Sequence, residues 1–184
     1  MKERFDPLNG SIAHVLECLG EGWSMLIIRE AFFGIRRFED FQSHLGIARN
    51  ILTARLKKLV ANGILERVPI KEGAKRHQYQ LTTKGKDLMP MLIALTQWGD
   101  RWIYGEGNEP VVFRDREKGQ PIAPICVCNA EGKPLKPREI MPTPGPGAND
   151  KARARLEELQ HLAEQIEQER KRKAAAEKQE EATA

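Results

Sequence analysis

The sequence predicts a mainly α fold with a small β wing: a winged helix-turn-helix domain with a long dimerisation helix, followed by an irregular C-terminal extension and a charged terminal helix. Three observations carry this expectation. Two short helical segments meet at the turn Gly46-Ile47-Ala48. Two strand-like segments follow at once, separated by the polar loop 71–76, Lys-Glu-Gly-Ala-Lys-Arg. An apolar stripe at helical spacing then runs from Leu88 to Ile103.

The first helix is read from Ser11, a good N-cap, to Leu19, with Ile12, Val15, Leu16 and Leu19 on one side. Gly20 and Gly22 break it. Trp23 to Phe33 is strongly apolar, with Trp23, Leu26, Ile27, Ala31 and Phe33, and reads as a buried central helix ended by Gly34. A short helix over about Arg37 to Leu45 sets Phe38, Phe41 and Leu45 at helical spacing. The next covers about Arg49 to Ala61, with Leu52, Leu56 and Leu59 on one face, and Asn62-Gly63 stops it. Ile64 to Pro69 and His77 to Leu81 read as paired strands. Thr82 or Thr83 can cap a helix reaching about Tyr104, with a kink or split expected at Pro90. Its stripe is wider than a small domain needs for its own core. That width predicts a dimer interface built from Leu88, Met91, Leu92, Leu95, Trp98 and Trp102.

Composition divides the chain into three parts. Residues 8–104 hold the winged-helix and dimerisation pattern. Residues 105–150 are rich in Pro and Gly, with β-like pieces at Val111 to Phe113 and Ile122 to Val127. Residues 151–184 are Ala, Arg, Glu, Lys, Gln and Leu, with Leu156, Leu159, Ala163 and Ile166 at a/d spacing for under two heptads. A charged helix is expected there, fraying into a tail from Ala174 to Ala184. No run of 18 apolar residues occurs, so no membrane helix is expected. The N-terminal segment Met1 to Asp6 carries acids and lacks the apolar core of a signal peptide. Three cysteines do not make a disulfide framework, and a reducing cytoplasm is the expected compartment.

Charge points to the partner. The chain of 184 residues has a net charge of +4, but residues 34–86 hold 12 Lys/Arg against 4 Asp/Glu. This basic block coincides with the helix-turn-helix pattern, and double-stranded DNA is the polyanion such a pairing fits. If Leu52, Leu56 and Leu59 face the core, Asn50, Ala54 and Lys57 point away, Thr53 flanks them and Arg49 opens the helix. Arg49, Asn50, Thr53 and Lys57 are therefore the expected base-contacting residues, since Asn suits adenine and Arg or Lys suits guanine. Arg36, Arg37 and Arg55 are placed for phosphates, and Lys71, Lys75 and Arg76 belong to the wing.

No catalytic constellation is present: there is no phosphate loop, nucleophile elbow, dinucleotide fingerprint or zinc-protease motif. An enzyme is not expected, nor a cofactor. Cys126 and Cys128 form a C-x-C pair without a second ligand pair, and His14, His44, His77 and His161 are scattered, so no metal is expected. Cys18 reads as a buried small hydrophobe. Trp23, Trp98 and Trp102 read as core aromatics, with a pocket for an unidentified small-molecule effector as the other reading. The competing function is a protein-interaction module that uses the winged domain as scaffold and the charged tail as binding element. The basic recognition helix argues against it, because a protein-docking face would be more apolar.

The residues resemble the HxlR-type winged-helix regulators, related to the MarR group. The likeness runs through Leu16-Glu17-Cys18-Leu19-Gly20-Glu21-Gly22-Trp23, Leu26-Ile27-Ile28-Arg29-Glu30 and Arg37-Phe38-Glu39-Asp40-Phe41. It continues in Leu52-Thr53-Ala54-Arg55-Leu56-Lys57-Lys58-Leu59, Gly63-Ile64-Leu65-Glu66-Arg67, Tyr79-Gln80-Leu81-Thr82-Thr83-Lys84-Gly85 and Trp98-Gly99. The resemblance implies a homodimeric bacterial transcription regulator with a terminal-helix dimer interface, binding a near-palindromic site; a repressor is the expected form. It also shows two departures. Many such regulators carry a sensing cysteine just before the first helix, where this chain has Gly10. The stretch Cys128 to Leu135 looks like a C-x-x-C-G ribbon in which Glu131 replaces the second cysteine, and it is read as a ribbon without zinc.

Overall fold

The apolar rows of five helical and strand segments converge on one core. The computed structural model describes residues 10–20, 22–71, 74 and 76–181, with the backbone alone at 174 and 176–181. In chain order the elements are α1 (Ser11–Leu19), α2 (Gly22–Phe32), α3 (Phe38–Leu45), α4 (Arg49–Ala61), β1 (Leu65–Pro69), β2 (His77–Leu81), α5 (Thr83–Lys86) and α6 (Met89–Gly99). A π turn (Asp100–Tyr104) prolongs α6, a 3-10 turn covers Pro137–Glu139, and α7 spans Asp150–Glu181. The mainly α fold with a two-strand antiparallel sheet is the one the sequence predicts. The described residues gather into two units, one within residues 14–126 and the other made of 10–13 and 127–181.

In the first unit, Ile27, Ile28, Phe41, Leu52, Leu56, Leu59 and Leu65 are all under 2% exposed, with Leu19, Ile47 and Ile64 beside them. The α4 leucines lie where the i, i+4, i+7 reading puts them. The turn between α3 and α4 depends on Gly46, whose φ of 61° and ψ of 21° are left-handed while its N–H donates to the Gln42 carbonyl. Ile47 then drops into the core.

α2 corrects one expectation. Trp23 and Leu26 are each 36% exposed and Phe33 49%, whereas Ser24, Ile27, Ile28 and Glu30 are buried. The helix is apolar nearly all round, so hydropathy alone does not choose its inner face. The buried Glu30 carboxylate is satisfied from two sides. Arg29 donates to Oε1 at 3.1 and 2.7 Å, and His44 Nδ1, on α3, lies 3.3 Å from Oε2. Cys18 is half-buried rather than fully buried, and its carbonyl accepts from Asn62 Nδ2 at 3.0 Å.

The wing is fixed by two attachments. β1 and β2 pair antiparallel in the register Leu65↔Leu81, Arg67↔Tyr79, Pro69↔His77. Tyr79 N–H donates to the Arg36 carbonyl at 2.8 Å, which ties β2 to the segment before α3. At the other end Thr82 caps α5. Its Oγ1 accepts from Gly85 N–H at 3.0 Å and donates to the Gly63 carbonyl at 2.6 Å. The long helix splits in two between Lys86 and Met89, just before Pro90. Pro90 sits in the first turn of α6, where the N–H it lacks would have no helical acceptor.

Beyond α6, the expected β-like pieces reduce to isolated bridges, Arg114↔Pro121 and Cys128↔Pro134. Pro121 and Pro124 cannot donate to a ladder. In the first unit, Gln97 holds residues 123–125 by donating to the Ala123 carbonyl and accepting from Ile125 N–H. The Asp115 carboxylate closes its turn by accepting Lys118 and Gln120 N–H, and the Lys118 bond foremost holds its pKa below the usual carboxylate value. In the second unit, Leu135 N–H donates to Val127 and Asn129 N–H to Lys133. Asn149 Oδ1 then caps α7 through Ala152 N–H at 2.8 Å. α7 continues as a helix through Ala174 to Glu181, past the point where fraying was expected.

Candidate nucleic-acid interface

α4 presents its polar row outward because its apolar row is held. Arg49, Asn50, Thr53 and Lys57 are exposed: Asn50 and Lys57 lie opposite Leu52, Leu56 and Leu59, Thr53 flanks them, and Arg49 opens the helix. Two of the four are locally oriented. The Arg49 guanidinium stacks over the Phe38 ring, 5.2 Å from its centroid. Thr53 Oγ1 donates to the Arg49 carbonyl at 2.7 Å, so its hydroxyl keeps only acceptor capacity and a methyl group for a partner. Ala48 caps α4 without a side-chain bond, which leaves the first-turn N–H groups open to an anion. An exposed helix with this chemistry can enter a major groove, which admits an α-helix.

The phosphate-contact candidates fall in three places. Arg36 and Arg37 are exposed in the segment before α3. Lys71 and Arg76 are exposed on the wing, and Lys75 lies outside the described residues. Arg55 is placed differently. It is half-buried, and a Cβ built on Gly20 would lie 3.5 Å from its Nη1 and 3.1 Å from Lys58 Nζ. Its head therefore lies beside the α1–α2 turn, not among the outward residues of α4.

Between the start of α3 and the wing lies a cleft of about 880 Å³. Arg37 and Asp40 form part of one wall, and Arg67, Lys71, Arg76 and His77 belong to the wing side. Arg67 escaped the sequence reading. Alternation along β1 gave no reason to single it out; its pairing with Tyr79, whose N–H bonds the Arg36 carbonyl, sets it in the same cleft as Arg37.

The dimer stripe divides in two. Leu92 is 7% exposed, and Leu88 and Met91 pack against the chain's own core. Leu95, Trp98 and Trp102 are 54%, 59% and 66% exposed. Among the described residues no single helix is long and apolar enough to cross a membrane. No group of three or more His, Cys, Asp or Glu among them could hold a metal ion.

Comparison with known proteins agrees with this geometry. The model of the HxlR-like helix-turn-helix family matches residues 18–106. An uncharacterised HTH-type transcriptional regulator of Mycobacterium tuberculosis, Rv3095, is 40% identical over 137 residues, covering 74% of this chain and 87% of that protein. A Synechocystis HTH-type transcriptional regulator, sll1512, is 37% identical over 99 residues, 53% of this chain and 73% of that one. Among solved structures, PA1607, named as a candidate transcription factor, superposes with a TM-score of 0.70 at 39% identity, over 74% of this chain and 96% of its own. PA1374 from Pseudomonas aeruginosa gives 0.58 at 38% identity, over 79% and 99%. With a matching family model, relatives of this identity and the same winged architecture, the chain belongs to the HxlR-like helix-turn-helix family and is a transcriptional regulator of that type.

Proposed function

We propose that the protein is a cytoplasmic, homodimeric repressor that binds a near-palindromic double-stranded DNA operator, with α4 of each protomer in a major groove. The observation that carries this is the exposed row Arg49, Asn50, Thr53 and Lys57 above the buried leucines of α4. These four residues select sequence. Arg36, Arg37, Lys71, Lys75 and Arg76 supply salt-dependent affinity through phosphates. Arg55 has the weaker case for a phosphate role, given its half-buried position beside Gly20. A dimer sets the two α4 helices about one DNA turn apart. Residues 8–104 form the DNA-binding and dimerisation part, 105–150 an extension, and 151–184 a charged tail. A small-molecule effector that changes the angle between the two wings would alter half-site fit.

The test is fluorescence anisotropy on the duplex upstream of the protein's own gene against a scrambled duplex, across a salt series. Preference for the upstream duplex with a steep log–log salt slope supports a sequence-specific regulator. Absence of binding to either at low salt sinks the reading.

The dimer is tested separately. Leu95, Trp98 and Trp102 are apolar and exposed, so they are the part of the stripe left for a second copy. Trp98→Asp is expected to give a monomer in sedimentation at micromolar concentration, with its circular dichroism unchanged. Truncation after Gly147 is expected to leave a dimer. A monomer from the truncation would place the pairing in α7 instead.

A further inference from the structure

We propose that the cleft between α3 and the wing is a preassembled clamp for the phosphate backbone of one DNA strand, with Arg67 of β1 as its central cation. This rests on α4 being the DNA-contacting helix. The cleft is lined by Arg37, Arg67, Lys71 and Arg76, against the carboxylates of Glu39 and Asp40. Among the described residues, no ion pair joins any of these four cations to a carboxylate. Arg67 has instead a neutral-type partner: its Nη2 lies 3.2 Å from His77 Nδ1, which accepts in the tautomer protonated at Nε2. Such a bond aims the guanidinium without cancelling its charge.

The two walls are held in register before any ligand arrives. Tyr79 pairs with Arg67 across the sheet and donates its N–H to the Arg36 carbonyl, so the Arg67 strand, the Tyr79 strand and the Arg36 segment lie side by side. The Tyr79 ring meets Phe41 of α3 edge-on, with centroids 6.5 Å apart. Arg67, held by its His77 bond on a strand fixed in this way, loses little freedom on binding. Phe38 links the cleft to α4: it lines the cleft and carries the Arg49 guanidinium on its ring. A duplex that holds α4 in its major groove carries a backbone past the N-terminal end of that helix. Repeated phosphates at that position match several cations spread along an open cleft.

The experiment compares wild type, Arg67→Ala and Arg67→Lys on the upstream and scrambled duplexes across a salt series, with circular dichroism and melting as fold controls. Arg67→Ala is expected to weaken binding about tenfold on both duplexes and to shallow the salt slope by about one per engaged protomer, as for a lost phosphate contact. Arg67→Lys is expected to keep the slope; should the alanine variant fail to fold, Arg67→Gln, which keeps a polar head without the charge, carries the test and is expected to shallow the slope as alanine does. Wild-type affinity and slope in the alanine or glutamine variant would overturn the clamp while leaving the α4 reading intact. A loss confined to the upstream duplex would overturn it too, because Arg67 would then be reading bases. Failure of the wild-type protein to bind either duplex would remove the α4 reading and the clamp together.

Discussion

Replacing Gly85 by alanine is expected to destabilise the winged domain by about 3 kcal/mol and to lower its Tm by more than about 10 °C. The reason is a collision with backbone. A Cβ at position 85 would lie 2.2 Å from the Ile64 carbonyl oxygen and 3.0 Å from Leu81 Cδ2. The Leu81 methyl can turn aside, but the Ile64 carbonyl is backbone and cannot. Ile64 O already accepts the Thr82 N–H at 3.1 Å, and Gly85 N–H bonds Thr82 Oγ1. This crossing of three short segments closes the wing onto α5. Thermal unfolding followed by circular dichroism checks the expectation. A Gly85→Ala protein melting within about 2 °C of wild type would mean that α5 can slide away from Ile64 at little cost, and that the closure is looser than the distances imply.

The second large effect concerns DNA affinity. The double variant Arg49→Ala, Lys57→Ala is expected to lose at least about 2 kcal/mol of operator affinity, ~30-fold or more, because each base-edge contact contributes ~1–3 kcal/mol. Both side chains are exposed and neither supports the core, so the fold is expected to survive. The loss should be larger on the operator than on a scrambled duplex, which separates base reading from simple loss of positive charge. Anisotropy at fixed salt gives both numbers. An unchanged operator affinity with an unchanged circular dichroism spectrum would show that α4 does not read the site.

Legibility in the sequence followed the range of the forces involved. α4 was readable to its ends, Arg49 and Ala61, because three leucines at helical spacing and the Asn62-Gly63 stop act within a few residues of each other. Strand β2 was readable for the same reason, and the α5 cap was narrowed to Thr82 or Thr83, of which Thr82 is the one used. The inner face of α2 was not, since burial of Ser24 and Glu30 in place of Trp23 and Leu26 is decided by what α3 and α4 present to it. The π turn at Asp100–Tyr104 left no local signal. In the candidate site, the outward row of α4 followed from periodicity alone. The inward lie of Arg55 and the position of Arg67 did not, because each depends on a segment distant in the chain: Gly20 for one, Arg36 for the other.

Glu30 also constrains how this sequence can change over time. A carboxylate that is 6% exposed is costly without its partners, and here they are Arg29 beside it and His44 on another helix. The two partners are themselves largely open to solvent, so solvation alone would let them vary freely. Their tie to Glu30 makes the three positions inherit together. Relatives with an apolar residue at position 30 are expected to have dropped the bases at 29 and 44, and relatives that keep the acid are expected to keep at least one of them.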